Sequence, residues 1–302
     1  MVFAHVGEHA PEAGSLWLAW NFSPTLVAGI ALLAALYFAA PAFLRRRSEY
    51  TEPLGRWRIT AFVSGLVVLV VALMSPLDAL GDEYLFSMHM VQHMLIGVVA
   101  PPLLLLGVPR WMIEPPLRWK PLRRTLRVLA HPVPAFGLIS LDLWLWHVPA
   151  LYDATLTNEA IHILEHLTFI AFGLIFWLPI LSPTPLIPRI SRPFAVLYLF
   201  GACQPMVALG ALLTFATSPF YAPYVAAPRI WGLDPVADQQ FGGLIMWLPT
   251  TIPYLIGLSI IFFQWVGAID RRERQAAGEF DNLDDLDDPA SAQNPSPAQT
   301  AL

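Results

Sequence analysis

Charge is scarce in this sequence. Of 302 residues only 13% are Asp, Glu, Lys or Arg, against about 25% in an ordinary soluble domain, and a mean hydropathy of +0.57 argues against a water-soluble globule. Cysteine is scarcer still: the single Cys203 rules out an intramolecular disulfide and leaves the redox compartment unread. The first fifteen residues have no Lys or Arg and carry Glu8 and Glu12 instead. They lack the basic start of a cleavable leader, so the first apolar run is expected to stay in the mature protein. No repeat of roughly 20 to 50 residues is visible, which gives no sign of a solenoid.

What remains is apolar. Runs close to the roughly 20 residues that cross a bilayer fall near 24–44, 59–75, 86–106, 133–151, 161–181, 194–215 and 241–263. They predict an all-α polytopic membrane bundle of seven helices over residues 24–268. An outer segment, 1–23, precedes it, and a polar tail over 269–302, acidic from Asp281 to Asp288, is expected to be disordered. Sixteen of the 17 Lys and Arg fall in alternate connections, at 45–58, 110–127, 189–192 and 271–274, while the opposite connections hold Arg229 and nine acids. By the positive-inside rule the N-terminus is expected outside and the C-terminus in the cytoplasm. The surroundings are the lipid bilayer of the cytoplasmic membrane, and no nucleic-acid partner is expected. A short interfacial helix is expected near 121–129, and Pro101–Pro102 should kink the third span.

Histidine is distributed unevenly. Of eight, His89, His93, His147, His162 and His166 fall at the outer ends of the third, fourth and fifth spans, His5 and His9 precede the first, and His131 faces the other way. His89 with His93, and His162 with His166, have the four-residue spacing that puts two side chains on one helix face a turn apart. Polar groups inside a membrane are costly and usually turn into the bundle, so these five are expected to converge on one outward-facing pocket. Imidazole suits copper, zinc and iron, and thioether selects Cu(I). Met74, Met88, Met90, Met94 and Met246 lie near these turns, which makes copper the leading candidate, with Met90 and Met246 as candidate thioether ligands. Asp142, near the middle of the fourth span, is a candidate for helix pairing, for orienting a histidine or for relaying a proton. Glu165, adjacent to His166, is a candidate ligand or orienter.

Other chemistries use the same residues. Paired histidines on facing helices also ligate haem from both sides, which would make a haem carrier or an electron-transfer protein. They are found in di-iron sites too, and His162-Ile-Leu-Glu-His166 has the spacing of the inverted zinc proteases. A metal-free scaffold would use the histidines to hold helices together.

The run His89-Met-Val-Gln-His93 with Ala100-Pro-Pro-Leu-Leu and Gly107-Val-Pro109, then Trp146-His147-Val-Pro149, His162-Ile-Leu-Glu-His166 and Gly242-Gly-Leu-Ile-Met246-Trp247, resembles the CtaG family of caa3-type cytochrome c oxidase assembly factors, over roughly residues 20 to 265. The resemblance implies a seven-helix protein of the cytoplasmic membrane, not an enzyme, that is needed for the oxidase to become active and handles copper for its metal centres. Its partners would be oxidase subunits and an extracytoplasmic copper donor. The combined expectation is a copper site of His89, His93, His147, His162 and His166 with Met246, supported by Asp142 and Glu165.

Overall fold

The computed structural model describes residues 14–44 and 53–287; His5, His9, Glu8, Glu12, Arg45 to Arg47 and the tail beyond Asp287 lie outside them. Among the described residues there is no strand. Six helices are long and apolar enough to cross a membrane, and a seventh is obtained if one bent pair is taken as a single span. The protein is thus an all-α, multi-pass bundle.

Helix α1 (Pro24–Leu44) is apolar all round and touches the rest through few side chains. Tyr37 stacks on Phe62 with ring centroids 3.7 Å apart and donates to the Gly107 carbonyl at 3.0 Å. Helix α2 (Arg56–Met74) packs closely on the end of the third span. A Cβ at Gly65 would meet Leu104 at 2.8 Å, and Arg58 donates to the Val108 carbonyl at 3.0 Å, a cation placed where the helix dipole ends negative.

The short α3 (Pro76–Glu83) leads into a third span that is one helix in three phases: α4 (Phe86–Met94), a π turn over Leu95–Val99, and α5 (Ala100–Gly107). The proline pair was expected to break the ladder at its own position. Instead the irregularity sits one turn earlier. Pro101 and Pro102 have no N–H to offer the carbonyls four residues before them, and the backbone rephases through wider i→i+5 bonds, with Ala100 donating to the Leu95 carbonyl. The Gly97 carbonyl so released turns toward α10, where a Cβ on Gly173 would stand 2.5 Å from it.

Helices α6 (Arg110–Leu117) and α7 (Lys120–Leu129) form the basic connection, and α7 is the short helix expected near 121–129. It meets α8 (Pro132–Trp146) at 72°. The fourth span was expected to run from 133 to 151, but α8 stops at Trp146. Pro149 restricts Val148 to extended backbone, and a separate helix α9 (Pro149–Thr157) begins there. Asn158 then caps α10 (Glu159–Leu181), its side chain accepting from Ala160 at 3.0 Å and Ile161 at 3.3 Å.

Helix α11 (Arg192–Thr214) and the short α12 (Ala222–Ala226) follow. The expected seventh span, 241–263, is also divided, because Pro249 separates α13 (Pro235–Trp247) from α14 (Thr251–Asp287). Helix α14 continues past residue 269, where a disordered tail was expected. Arg274 reaches back one turn to Asp270 at 3.0 Å, an i,i+4 pair that supports helix outside the apolar stretch.

One long-range cap sets the position of α4. The Asp238 carboxylate, on α13, accepts from the backbone N–H of Phe86 at 2.7 Å and of Ser87 at 3.2 Å. Two of the four unpaired donors of that helix start are met from 150 residues away in the chain. We expect Asp238→Ala to cost about 1–2 kcal/mol, as lost caps do, measured as a lower unfolding temperature in detergent; an unchanged midpoint would show that the cap contributes nothing.

Candidate metal centre

The two histidine pairs meet rung by rung. His89 on α4 faces His162 on α10 with ring centroids 5.7 Å apart, and His93 faces His166 at 5.5 Å. Within each pair the rings are 4.2 Å apart. Matching depth, inferred from the spacing in the sequence, is therefore realised by two helices running side by side.

Two carboxylates complete the cluster. Asp82 Oδ1, at the end of α3, lies 3.3 Å from His89 Nδ1 and 3.7 Å from His162 Nε2. Glu165 Oε1 lies 3.7 Å from His93 Nε2. Three overlapping triads result, Asp82–His89–His162, His89–His93–Glu165 and His162–Glu165–His166, each with donor atoms within 4.8 Å of one another. His89 and Glu165 are fully buried. The composition of the cluster is unusual in one further way: among the described residues, nine of the fourteen buried side-chain nitrogens and oxygens without a hydrogen-bond partner belong to Asp82, His89, His93, His162, Glu165 and His166.

Local packing explains how Asp82 arrives. Gly81, its neighbour, presses on the α4 backbone so closely that a Cβ there would stand 3.0 Å from His89 Cα, and Tyr224 fixes the same turn by donating to the Gly81 carbonyl at 2.7 Å. Asp78, one turn earlier, accepts from Asn21 and from Gln92, both at 2.8 Å. Gln92 also donates to the Ala72 carbonyl at 3.0 Å, so the residue between the two α4 histidines anchors them to α2 and α3. Burial, with the nearby Asp82 carboxylate adding to it, pushes the Asp78 carboxyl up to about 8, against the pull of its two amide donors. An aromatic wall of Phe86, Tyr152, Tyr221 and Tyr224 closes the side toward α9 and α12, with the Tyr152 ring 5.4 Å from His89.

Not every expected ligand is here. His147 lies outside the three triads: its Nδ1–H donates to the Leu143 carbonyl at 2.7 Å, and its Nε2 faces Met90 Sδ at 3.4 Å. Met246 lies with Met90, Met94 and Met206 on the wall of a small adjoining cavity that His147 and His93 also line. Met74 and Met88 belong to other packing clusters. Asp142 accepts from the Trp146 indole at 2.9 Å, that indole also donates to Thr168 on α10 at 2.9 Å, and Thr168 hydrogen-bonds Asp142 as well, so Asp142 serves the pairing of α8 with α10. Asp82 was read from the sequence only as an outer acid. Its separation of seven residues from His89 across a turn gave no periodic signal, although an acid in the turn entering a histidine helix was a usable one.

A bundle of this kind, with imidazoles and carboxylates of four-residue spacing turned inward between apolar helices, defines a polytopic membrane protein with a buried donor cluster. A family model described as cytochrome c oxidase caa3 assembly factor matches residues 35–268, and the chain belongs to that family. Uncharacterised proteins of Mycobacterium bovis and Mycobacterium tuberculosis are each 28% identical to it over 293 residues, covering 92% of this chain and 43% of their own length. A Mycobacterium leprae protein is 27% identical over 279 residues, covering 84% of this chain and 40% of its own. The chain thus spans about two fifths of the length of the curated relatives it matches. No solved structure matches it.

Each imidazole must be neutral to bind a cation. Protons compete with the ion for the imidazole lone pairs, so ion retention by the centre is expected to fall as pH is lowered, in equilibrium dialysis from about pH 8 to about pH 4. A flat profile would count against histidine ligation.

Proposed function

We propose that the protein takes up copper at the cluster of Asp82, His89, His93, His162, Glu165 and His166, on the outer face of the cytoplasmic membrane, and passes it to a cytochrome c oxidase subunit while the oxidase metal centres are assembled. On this reading it is an assembly factor with no turnover of its own. Membership of the oxidase assembly family supports the destination. The observation that supports a metal is the concentration of unpartnered buried donors. A buried polar atom left unpaired costs about 1–3 kcal/mol, so even the few of these that meet no partner at all are a large fraction of the net stability of a domain, about 5–15 kcal/mol. A bound cation removes most of that cost.

The donors fit one. Bonds of about 2.0–2.2 Å to nitrogen and oxygen set three ligands about 3.4–3.8 Å apart, and the separations of 3.3 and 3.7 Å from Asp82 to His89 and His162, and of 3.7 Å from His93 to Glu165, are close to that range. Asp82, whose side chain is 23% exposed, is the outermost donor and would meet incoming cargo first. The triads share His89, His162 and Glu165. Any two triads have one residue in common, so a cation moving from Asp82 toward the buried end would keep one ligand residue while the other two are replaced. Imidazole is a good donor to copper, and release toward a partner would run back along the same ladder.

The test is metal content with an optical spectrum on detergent-purified protein, comparing wild type with a variant in which His89, His93, His162 and His166 are all replaced by Gln. Near-stoichiometric copper in the wild type, lost in the variant, is expected. A Soret band lost instead would transfer the reading to haem, and equal metal in both proteins, with oxidase assembly intact, would leave a scaffold. Asp82→Asn should weaken copper binding at least about 10-fold, the lower end of what perturbing a donor's environment costs, as read by competition with a chelator.

A further inference from the structure

A second group of side chains able to bind a metal lies beside the first, on the α8 and α13 side of α4. His147, Met90 and Met246 line a cavity of about 40 Å³, with Met94 and Met206 also on its wall. The first three come from the end of α8, from α4 and from α13. Gly242 on α13 lets Met90 approach, since a Cβ at that glycine would stand 3.3 Å from Met90 Cγ, and Met246 is one turn further along the same face of α13.

The protonation of His147 follows from its partners. A backbone carbonyl can only accept, so Nδ1 carries the proton that goes to Leu143. In the neutral ring Nε2 is then a bare lone pair, and at 3.4 Å it faces the Met90 thioether, which is also an acceptor. Two buried acceptors are then in contact with no hydrogen between them. His147 and Met90 are 7% and 2% exposed, so bulk water does not relieve the mismatch. A cation shared by both does: at bond lengths of about 2.0 Å to nitrogen and 2.3 Å to sulfur, a 3.4 Å separation subtends about 104° at the ion, close to tetrahedral.

We propose that Met90, His147 and Met246 form a second metal site, soft and monovalent in preference, next to the imidazole–carboxylate centre and distinct from it. Thioether with imidazole selects Cu(I) over zinc, magnesium or calcium. His93 borders both groups, belonging to a triad of the first and to the cavity wall of the second, and Met90 follows His89 directly in the chain. The harder nitrogen and oxygen cluster takes up Cu(I) at the more exposed end, and the softer site holds it behind, with no change of oxidation state between the two. The inference rests on the copper reading of the first centre for the identity of the cargo, while the donor set of the second stands on its own geometry.

The experiment uses Ag(I), a redox-inert soft ion, added to the chelator-treated protein in detergent, with bound ion counted by mass spectrometry. Three proteins are compared: wild type, Met90→Leu/Met246→Leu, whose leucines keep nearly the volume of methionine, and His162→Gln/His166→Gln. The wild type and the histidine variant are expected to bind Ag(I) at one tight site, and the methionine variant to lose it by at least 10-fold in affinity while retaining Cu(II) at the first centre. Ag(I) lost only in the histidine variant would overturn the second site and leave the first reading standing. Ag(I) lost only in the methionine variant, with no Cu(II) bound by any protein, would uphold the second site and sink the first. X-ray absorption of the Cu(I)-loaded wild type, which needs no variant, should show a sulfur neighbour at about 2.3 Å; nitrogen and oxygen neighbours alone would overturn the proposal.

Discussion

Taking imidazoles and carboxylates out of water inside an apolar bundle is the constraint on which the rest of this structure depends. The penalty for a buried polar atom without a partner is large compared with the net stability of a fold, and α4, α10 and α3 bring six such side chains together rather than dispersing them. Dispersed, each would need its own hydrogen-bond partner. Gathered, they satisfy one another poorly, which is the cost a bound cation would relieve on the reading proposed above. The surrounding helices serve that gathering: Asp238 on α13 caps the first turn of α4, Gln92 ties the middle of α4 to α2 and α3, and Gly81 admits Asp82 to His89.

The proline pair contributes from below. By removing two hydrogen-bond donors it forces a π turn at Leu95–Val99, immediately after His93 and Met94. The change of phase separates what α4 packs against above that turn, chiefly α13 and α3, from what α5 packs against below it, chiefly α2 and α10. A regular helix would carry the face that begins at His89 and His93 straight on into the packing surface. The close approach of Gly173 to the Gly97 carbonyl then holds α10 against this irregular turn and keeps the two histidine pairs in register.

The donor chemistry divides along the same line. Nitrogen and oxygen face α10 and the end of α3, whereas thioether with a single imidazole faces α8 and α13. One helix, α4, supplies both kinds of donor from adjacent residues, His89 and Met90, because consecutive positions on a helix are about 100° apart. That divergence explains why ligands expected to form one pocket belong to two neighbouring groups.

Much of this was legible in the sequence by itself. Apolar length and low charge determined a multi-pass helical bundle, and four-residue spacing determined that His89 with His93, and His162 with His166, share faces, because helix periodicity is local and needs no tertiary information. The short basic helix near 121–129 was legible for the same reason. Only the tertiary structure decided the rest. The breaks at Val148–Pro149 and at Pro249 depend on how the chain is received on either side of a proline. The entry of Asp82, the caging of Asp142 by Trp146 and Thr168, and the turning of His147 toward Met90 and away from the other histidines are set by which helices lie side by side. A pattern read along one chain contains the direction each side chain takes from its own helix, but not which neighbour that direction meets.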